Sequence, residues 1–326
     1  MQALVVESAG GPLMSVHVPS PTLLEGQVLV RIKSSGINPL DIKISQGNAA
    51  HAQQPLPAIL GMDMAGTVEA LGPGVTRFAP GDEVYGMVGG VGGVQGTLAE
   101  FAAVDVELLA HKPANLAMRE AASLPLAVIT AWEGLVDRAQ VRAGQSVLVQ
   151  GGAGGVGQVA VQLAQACGAR VFATVAAERK SMVEALGATA IDSGTSVDAY
   201  VAAHTGGVGF DIVYDTAGGA ALDASFHAVR RGGHVVSCLG WGMHALAPLS
   251  FRAATYSGVF TLLPLLTGQG RAHHGWILGE SARLVEMGSL RPRLDPRRFT
   301  LATANQAHAA VASRIAAGKV VIDVAA

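Results

Sequence analysis

The densest chemical signal in the chain is a run of seven residues, Gly151-Gly152-Ala153-Gly154-Gly155-Val156-Gly157. Gly152, Gly154 and Gly157 have the spacing G-x-G-x-x-G, after a strand-like segment (146–151) and at the start of a helical pattern (155–168). One glycine serves the tight turn and another lets the backbone approach a pyrophosphate. The third lets the helix pack on the strand, and the helix N-terminus offers N–H groups and a positive dipole end. A glycine-rich turn without ligand is the plainer alternative. The next strand tip separates the dinucleotides, because an NAD site places a carboxylate there for the ribose 2′-hydroxyl. Here Thr174-Val175-Ala176-Ala177 is apolar at its tip, and Glu178, Arg179 and Lys180 follow. Two cations after Ala176 suit a 2′-phosphate, so NADPH is expected; Arg179 and Lys180 would otherwise be solvated helix charges. Glu178 reads as a first-turn acid stabilised by the helix dipole.

The elements around the loop set its context. From 146 to 240 strands and helices alternate: strands at 146–151, 170–175, 210–218 and 234–240, helices at 155–168, 178–186 and 221–230. Such alternation implies right-handed crossovers and a parallel sheet covered on both faces. The first 110 residues instead read as short strands separated by turn signals such as Leu71-Gly72-Pro73-Gly74 and Ala79-Pro80-Gly81-Asp82. A helix capped by Asn115 is expected over 115–137. Beyond 265 come a helix (276–288), a strand near 298–301, a helix (304–317) and a last strand (319–324).

Composition narrows the function classes. A chain of 326 residues suggests about two domains. Its 50% apolar and 14% charged residues describe a core-forming protein rather than a disordered one. A net charge of −2 gives no basic excess for a phosphate backbone, which argues against nucleic-acid binding. The start lacks a signal-peptide pattern, and no apolar run is long enough for a membrane span. Two cysteines, Cys167 and Cys238, cannot build a Cys-rich zinc site, and a reducing cytoplasm fits them. Cys238 reads as a buried core thiol.

Several landmarks now fall in one order: Ser35-Gly36-Ile37-Asn38-Pro39-Leu40-Asp41, Gly61-Met62-Asp63-Met64-Ala65-Gly66, Val75 to Val84 with Pro80-Gly81-Asp82, Ile129-Thr130-Ala131-Trp132, the glycine loop, and Asp215-Thr216-Ala217-Gly218-Gly219. Together they resemble the medium-chain dehydrogenase/reductase superfamily over essentially the whole chain, and within it the zinc-free, zeta-crystallin-like quinone oxidoreductases. The resemblance implies an α/β fold: a GroES-like, β-rich catalytic domain made from 1–122 and 265–326, and a Rossmann domain, a doubly wound parallel sheet, over 123–264. It also implies a cleft holding the nicotinamide, and homodimers joined through an edge strand near Tyr256-Ser257-Gly258-Val259-Phe260.

Zinc enzymes of the superfamily carry Cys where this chain has Asn38, and Gly-His-Glu where it has Gly61-Met62-Asp63. Asn and Met are poor zinc ligands and Asp63 alone cannot hold the ion, so no metal is expected. Adjacent His273 and His274 read as surface residues. Without a Lewis acid, an acceptor already activated is the better match. By resemblance Asn38 sits beside the nicotinamide ribose, where its amide would donate to a substrate oxygen and accept from a ribose hydroxyl. Thr130 matches a family threonine near the nicotinamide, and Gly240 opens a segment, Gly240-Trp241-Gly242, that would cross it. Trp241 would line the pocket or pack elsewhere in the core. Lys43 stands where some quinone reductases have tyrosine. It would donate a proton or stabilise an enolate with Asp41 holding it, or the two would form an inconsequential surface pair; Asp41 would alternatively only fix the loop, and Asp63 pin the neighbouring turn. Ser193 replaces a tyrosine that some relatives place near the adenosine.

The expected function is NADPH-dependent, zinc-independent hydride transfer to a quinone or other activated carbonyl. Reduction of an enone or enoyl double bond is the alternative. A non-catalytic NADPH-binding protein is the rival from another class. The expected partner is a small electrophilic substrate.

Overall fold

Short alternations of apolar and polar residues build the first third of the chain. They give β1 (Gln2–Val6), β2 (Leu13–His17), β3 (Gln27–Gly36), β4 (Ala58–Ile59), β5 (Asp63–Leu71), β6 (Glu83–Met87), β7 (Phe101–Asp105) and β8 (Leu109–His111). In β3, Val28, Val30 and Ile32 are fully buried while the residues between them are partly exposed. That is the period of two expected of a strand with one face in a core. Helix α1 (Pro39–Ser45) follows β3, and α2 (Met118–Ala122) follows β8. The computed structural model describes residues 1–324.

The expected single helix over 115–137 is divided. After α2 come α3 (Pro125–Trp132) and a π-helical stretch, Glu133–Arg138. Pro125 has no N–H to continue a ladder from α2. Asn115 is not the cap: Ala117 holds that position, and the Asn115 amide donates to Val285 O at 3.1 Å.

The next segment alternates as expected. Its strands are β9 (Ser146–Gln150), β10 (Arg170–Val175), β11 (Thr189–Asp192), β12 (Phe210–Asp215), β13 (Val229–Ser237) and β14 (Thr255–Gly258). Among the described residues they form one sheet in the order β11-β10-β9-β12-β13-β14, every pair parallel. Counted within this segment, that is the 3-2-1-4-5-6 order of a Rossmann fold. Between them run α4 (Gly155–Ala166), α5 (Lys180–Glu184), α6 (Val197–Thr205), α7 (Ala220–Ala228) and α8 (Ala247–Ser250). Every residue of β9 is buried, and Leu148, Phe172, Phe210, Val213 and Phe226 belong to one core cluster. The sequence reading passes over β11 and α6. α6 fully buries only Tyr200, with Val197 and Val201 partly buried beside it, so its apolar stripe is short.

The chain then returns through α9 (Leu263–Thr267), α10 (Arg271–Glu286), β15 (Phe299–Thr300), α11 (Ala304–Ala312) and β16 (Val321–Asp323). β16 inserts beside β3 in a sheet ordered β15-β16-β3-β5-β6-β8, with β7 also paired to β3. The chain thus forms two units: Met1–Leu126 with the segment from Leu262 onward, and Ala127–Thr261. No helix among the described residues is long and apolar enough to cross a membrane.

Candidate active site

In the first unit, strand register gathers residues far apart in sequence. Gly36 at the end of β3 pairs with Asp63 at the start of β5 and with Val321 at the start of β16. Asn38 lies two residues after Gly36, and Lys319 two residues before Val321. One end of the sheet therefore collects Asn38, Asp63 and Lys319. Asn38 and Asp63 are 2% and 0% exposed, and the Lys319 side chain is 9% exposed.

Each group in the cluster has an assigned partner. The Asn38 amide Nδ2 donates to Asp63 Oδ2 at 2.9 Å, and Lys319 Nζ donates to Asn38 Oδ1. Lys319 Nζ also lies 3.2 Å from Asp63 Oδ2. Asp63 Oδ1 accepts the Leu126 N–H at 2.9 Å, and its backbone carbonyl accepts the Thr97 hydroxyl at 3.1 Å. Burial raises the pKa of Asp63, and the Lys319 cation, the Asn38 amide and the Leu126 N–H offset part of that rise. Both Asp63 oxygens act as acceptors, the geometry of a carboxylate.

Asp41 does not hold Lys43. Its Oδ2 accepts the backbone N–H of Asn38 at 2.7 Å, one half of a capping box at the start of α1. Asp41 is buried and Lys43 is exposed. Residues two apart on a helix face different directions, so the period-two spacing that suggested a pair belongs to a strand and not to α1. Burial pushes the Asp41 pKa up to about 7, the Asn38 N–H lowers it in part, and Asp63 adds to the rise. An open cavity of about 320 Å³ follows the end of α1, lined by Ile44, Gly47, Ala49, Gln53, Pro55 and Leu56 among others. No member of the polar cluster lines it.

In the second unit the glycine loop joins β9 to α4, with Gly154 at the N-cap of α4. The first helical bond there runs from Gln158 N–H to Gly154 O at 3.0 Å, leaving the N–H groups of Gly155, Val156 and Gly157 as the donors of an uncapped helix start. Gly151 has φ +79°, a conformation that side chains disfavour, and a Cβ on Gly157 would strike the Gly151 carbonyl. Gly154 and Gly155 are exposed, and nothing lies within 4 Å of a Cβ placed on Gly155. Ala153 and Val156 are half-buried. This is a cradle a phosphate could approach closely.

A polar network at the foot of the loop escapes the sequence reading. The Thr174 hydroxyl donates to Gln150 Oε1 at 2.7 Å and accepts the Gly151 N–H at 3.1 Å. The Thr174 carbonyl accepts the Gly152 N–H at 3.0 Å, and the Thr216 hydroxyl donates to Gln150 O at 2.7 Å. Three adjacent strands thereby pin the turn.

At the tip of β10, Ala176 precedes a 3-10 turn over Ala177–Arg179. Arg179 is exposed, and Lys180 Nζ lies 3.3 Å from Asp192 Oδ2. Asp192 ends β11 and pairs with Val175, so it lies beside the tip of β10. Ser193, exposed, follows it.

Thr130 is buried, and its hydroxyl lies 3.1 Å from that of Thr261, which in turn donates to Glu133 at 2.8 Å. Gly240 is exposed, and a Cβ there would strike the Tyr256 hydroxyl. Trp241 is 52% exposed rather than packed in a core. His274, read as a surface residue, is buried in α10, whereas His273 is exposed and stacks on Trp276. Burial pushes the Cys238 thiol up to about 12, so it holds no thiolate at neutral pH. Among the described residues no three His, Cys, Asp or Glu residues are close enough to hold a metal ion.

Lys319 is the main residue that sequence reasoning missed. A single lysine ahead of an apolar strand carries no distinguishing signal. Asp63, read only as pinning a turn, could have been flagged as a carboxylate set between the apolar residues Met62 and Met64.

Comparison with known proteins finds relatives along the whole chain. Residues 24–114 match the alcohol dehydrogenase GroES-like domain, and residues 186–322 match the zinc-binding dehydrogenase family. An NADPH-dependent alkenal/one oxidoreductase, chloroplastic, from Arabidopsis thaliana is 34% identical over 99% of this chain and 79% of its own length. An alcohol dehydrogenase superfamily protein from Novosphingobium aromaticivorans, whose crystal structure is known, is 60% identical over the full length of both chains, with a TM-score of 0.99. A mycobacterial quinone oxidoreductase is 28% identical over 99% of this chain and 100% of its own, with a TM-score of 0.86.

Proposed function

The chain belongs to the medium-chain dehydrogenase/reductase superfamily, in its quinone oxidoreductase-like branch, and on that premise we propose that it is an NADPH-dependent, zinc-independent reductase of quinones or α,β-unsaturated carbonyls. That it is an oxidoreductase using a nicotinamide cofactor follows from the family. The narrower reading rests above all on the polar cluster: where zinc relatives carry metal ligands, this chain has an asparagine, a methionine and an ion-paired carboxylate. The alkenal/one relative favours an enone acceptor and the quinone oxidoreductase a quinone, and both acceptors are already polarised.

The residues present fit the cofactor. Gly152, Ala153, Gly154, Gly155, Val156 and Gly157 would hold the pyrophosphate through backbone N–H groups at the α4 start. Ala176 leaves β10 itself without a carboxylate at its tip, the neighbouring Asp192 is paired with Lys180, and Arg179 and Lys180 would meet a 2′-phosphate. Asn38, Thr130 and Gly240 are assigned to the nicotinamide end. When bound, NADPH supplies the hydride, and the protein supplies orientation and electrostatics.

The remaining steps belong to this chain's own groups. Asn38 retains one N–H and one lone pair beyond its bonds to Asp63 and Lys319, enough to donate to an acceptor oxygen and accept from a hydroxyl. Asp41 holds the Asn38 backbone at the α1 start. Lys43, exposed, would deliver a proton to a reduced enone. If so, Lys43→Met lowers enone turnover and leaves NADPH affinity intact; unchanged turnover makes it a surface amine. We further propose a cytoplasmic homodimer that extends the parallel sheet at β14, whose one partner among the described residues is β13.

The deciding experiment follows loss of reduced nicotinamide absorbance with a simple quinone, an enone, an enoyl thioester and a plain ketone, using NADPH and NADH in parallel. Turnover of quinone or enone with NADPH supports the reading. Turnover of the plain ketone alone, or tight NADPH binding without turnover, overturns it.

A further inference from the structure

The Asn38 amide is unusual in what it does not do. An asparagine at a helix N-cap ordinarily accepts an N–H from the first helical turn. Asn38 caps α1 with its backbone in the extended region, yet its side chain makes no capping bond. The amide faces Asp63 and Lys319 instead. We propose that Lys319 is a positioning residue which, together with Asp63, dictates which way round the Asn38 amide faces.

The two ends of an amide have nearly the same shape, so packing alone scarcely separates one orientation from its flip. Partner chemistry does. An ammonium has only donors and an ionised carboxylate only acceptors. Lys319 therefore requires Oδ1 on its side, and Asp63 requires Nδ2 on its own. The flipped amide would set NH₂ against ammonium and oxygen against carboxylate, two repulsive contacts in a buried setting. Asp63 is itself fixed by the Leu126 N–H, and Lys319 by strand register: its N–H donates to Arg293 O at 2.8 Å and its carbonyl accepts from Asp295 at 2.9 Å. Burying an ammonium is costly, and a well-packed apolar side chain would serve stability as well. What the pair adds is a fixed place for the one N–H and one lone pair that Asn38 has left. The consequence for catalysis rests on the assignment of Asn38 to the acceptor and ribose; the orientation itself does not.

Two measurements on the full-length protein separate these. The chain has four asparagines, Asn38, Asn48, Asn115 and Asn305, so selective ¹⁵N-asparagine labelling gives four side-chain amide signals. Asn38 is assigned by its loss in Asn38→Ala. Its signal is expected to be a single sharp pair in the wild type and in Lys319→Arg. In Lys319→Met it is expected to double or broaden by exchange; an unchanged signal there overturns the orientation claim. The second measurement is a double-mutant cycle on turnover of whichever quinone or enone the wild type reduces. Lys319→Met is expected to lower kcat about tenfold or more, with Lys319→Arg recovering most of it. In the Asn38→Ala background it should add almost nothing, because Lys319 acts through Asn38. Equal losses in both backgrounds would make Lys319 merely structural and overturn the catalytic part. Should Lys319→Met not fold, Lys319→Gln takes its place in both measurements, because a glutamine amide presents either a donor or an acceptor and no longer dictates which end of Asn38 faces it. A wild type that reduces none of the acceptors defeats the functional reading while the amide spectrum still decides the orientation.

Discussion

Asp41 and Lys180 show how side-chain partners turn into measurable behaviour. Burial holds the Asp41 carboxyl near a pKa of about 7, far above the unfolded value near 4. Between those values the folded chain keeps a proton that the unfolded chain has released. The associated stability is present at low pH and is lost as pH rises through about 4 to 7. Chemical denaturation across that range should show stability falling in the wild type. Asp41→Asn, which still accepts the Asn38 N–H, should give a flatter profile; parallel profiles would mean that Asp41 is ionised throughout. At the proposed 2′-phosphate position, Lys180 is shared with Asp192, and both side chains are more than a third exposed. Solvent screens such a pair, so freeing the lysine has a limited effect. Asp192→Asn should tighten NADPH by at most about fivefold and leave NADH unchanged. Replacing Arg179 and Lys180 together by alanine should weaken NADPH much more than NADH. Equal weakening of the two in a binding titration would remove the 2′-phosphate assignment.

At the scale of elements, the glycine loop is pinned by its neighbours. Thr174 on β10 holds the Gly151 N–H and Gln150, so the turn is anchored one strand away from the glycines themselves. Thr174→Val keeps the shape and removes both bonds. It should cost about 1–3 kcal/mol in stability, the usual penalty for stranding buried polar partners. Dinucleotide affinity should fall with it, and a variant that melts and binds like the wild type would show the network to be incidental. Helix α1 teaches the converse. Asp41 and Lys43 looked like a pair at a spacing of two, and the helix separated them. Secondary structure decided which chemistry two nearby residues could share.

For the whole molecule, the edge of the parallel sheet is the feature with a consequence in solution. β14 is short, and Thr255 and Tyr256 are exposed on it. An uncovered edge invites pairing with another chain, and a lysine placed on it discourages that. Thr255→Lys should shift a homodimer toward monomer in sedimentation measurements while the circular dichroism spectrum stays the same. A wild type that is already monomeric at micromolar concentration would end the dimer proposal.

The amino-acid sequence by itself determined the parts of this protein that are local. The glycine loop lies between a strand and a helix only a few residues away, and the Rossmann alternation is written as periodicity along consecutive residues. The order of landmarks placed the chain in its superfamily for the same reason. What only the tertiary structure decided is the company each polar residue keeps. Lys319 reaches Asn38 because β16 inserts beside β3 in one register, and nothing within a few residues of Lys319 encodes that pairing. Thr174 likewise meets Gly151 across neighbouring strands. Hydrogen bonds between distant segments depend on strand order and register, which are settled by burial of apolar faces across the whole sheet.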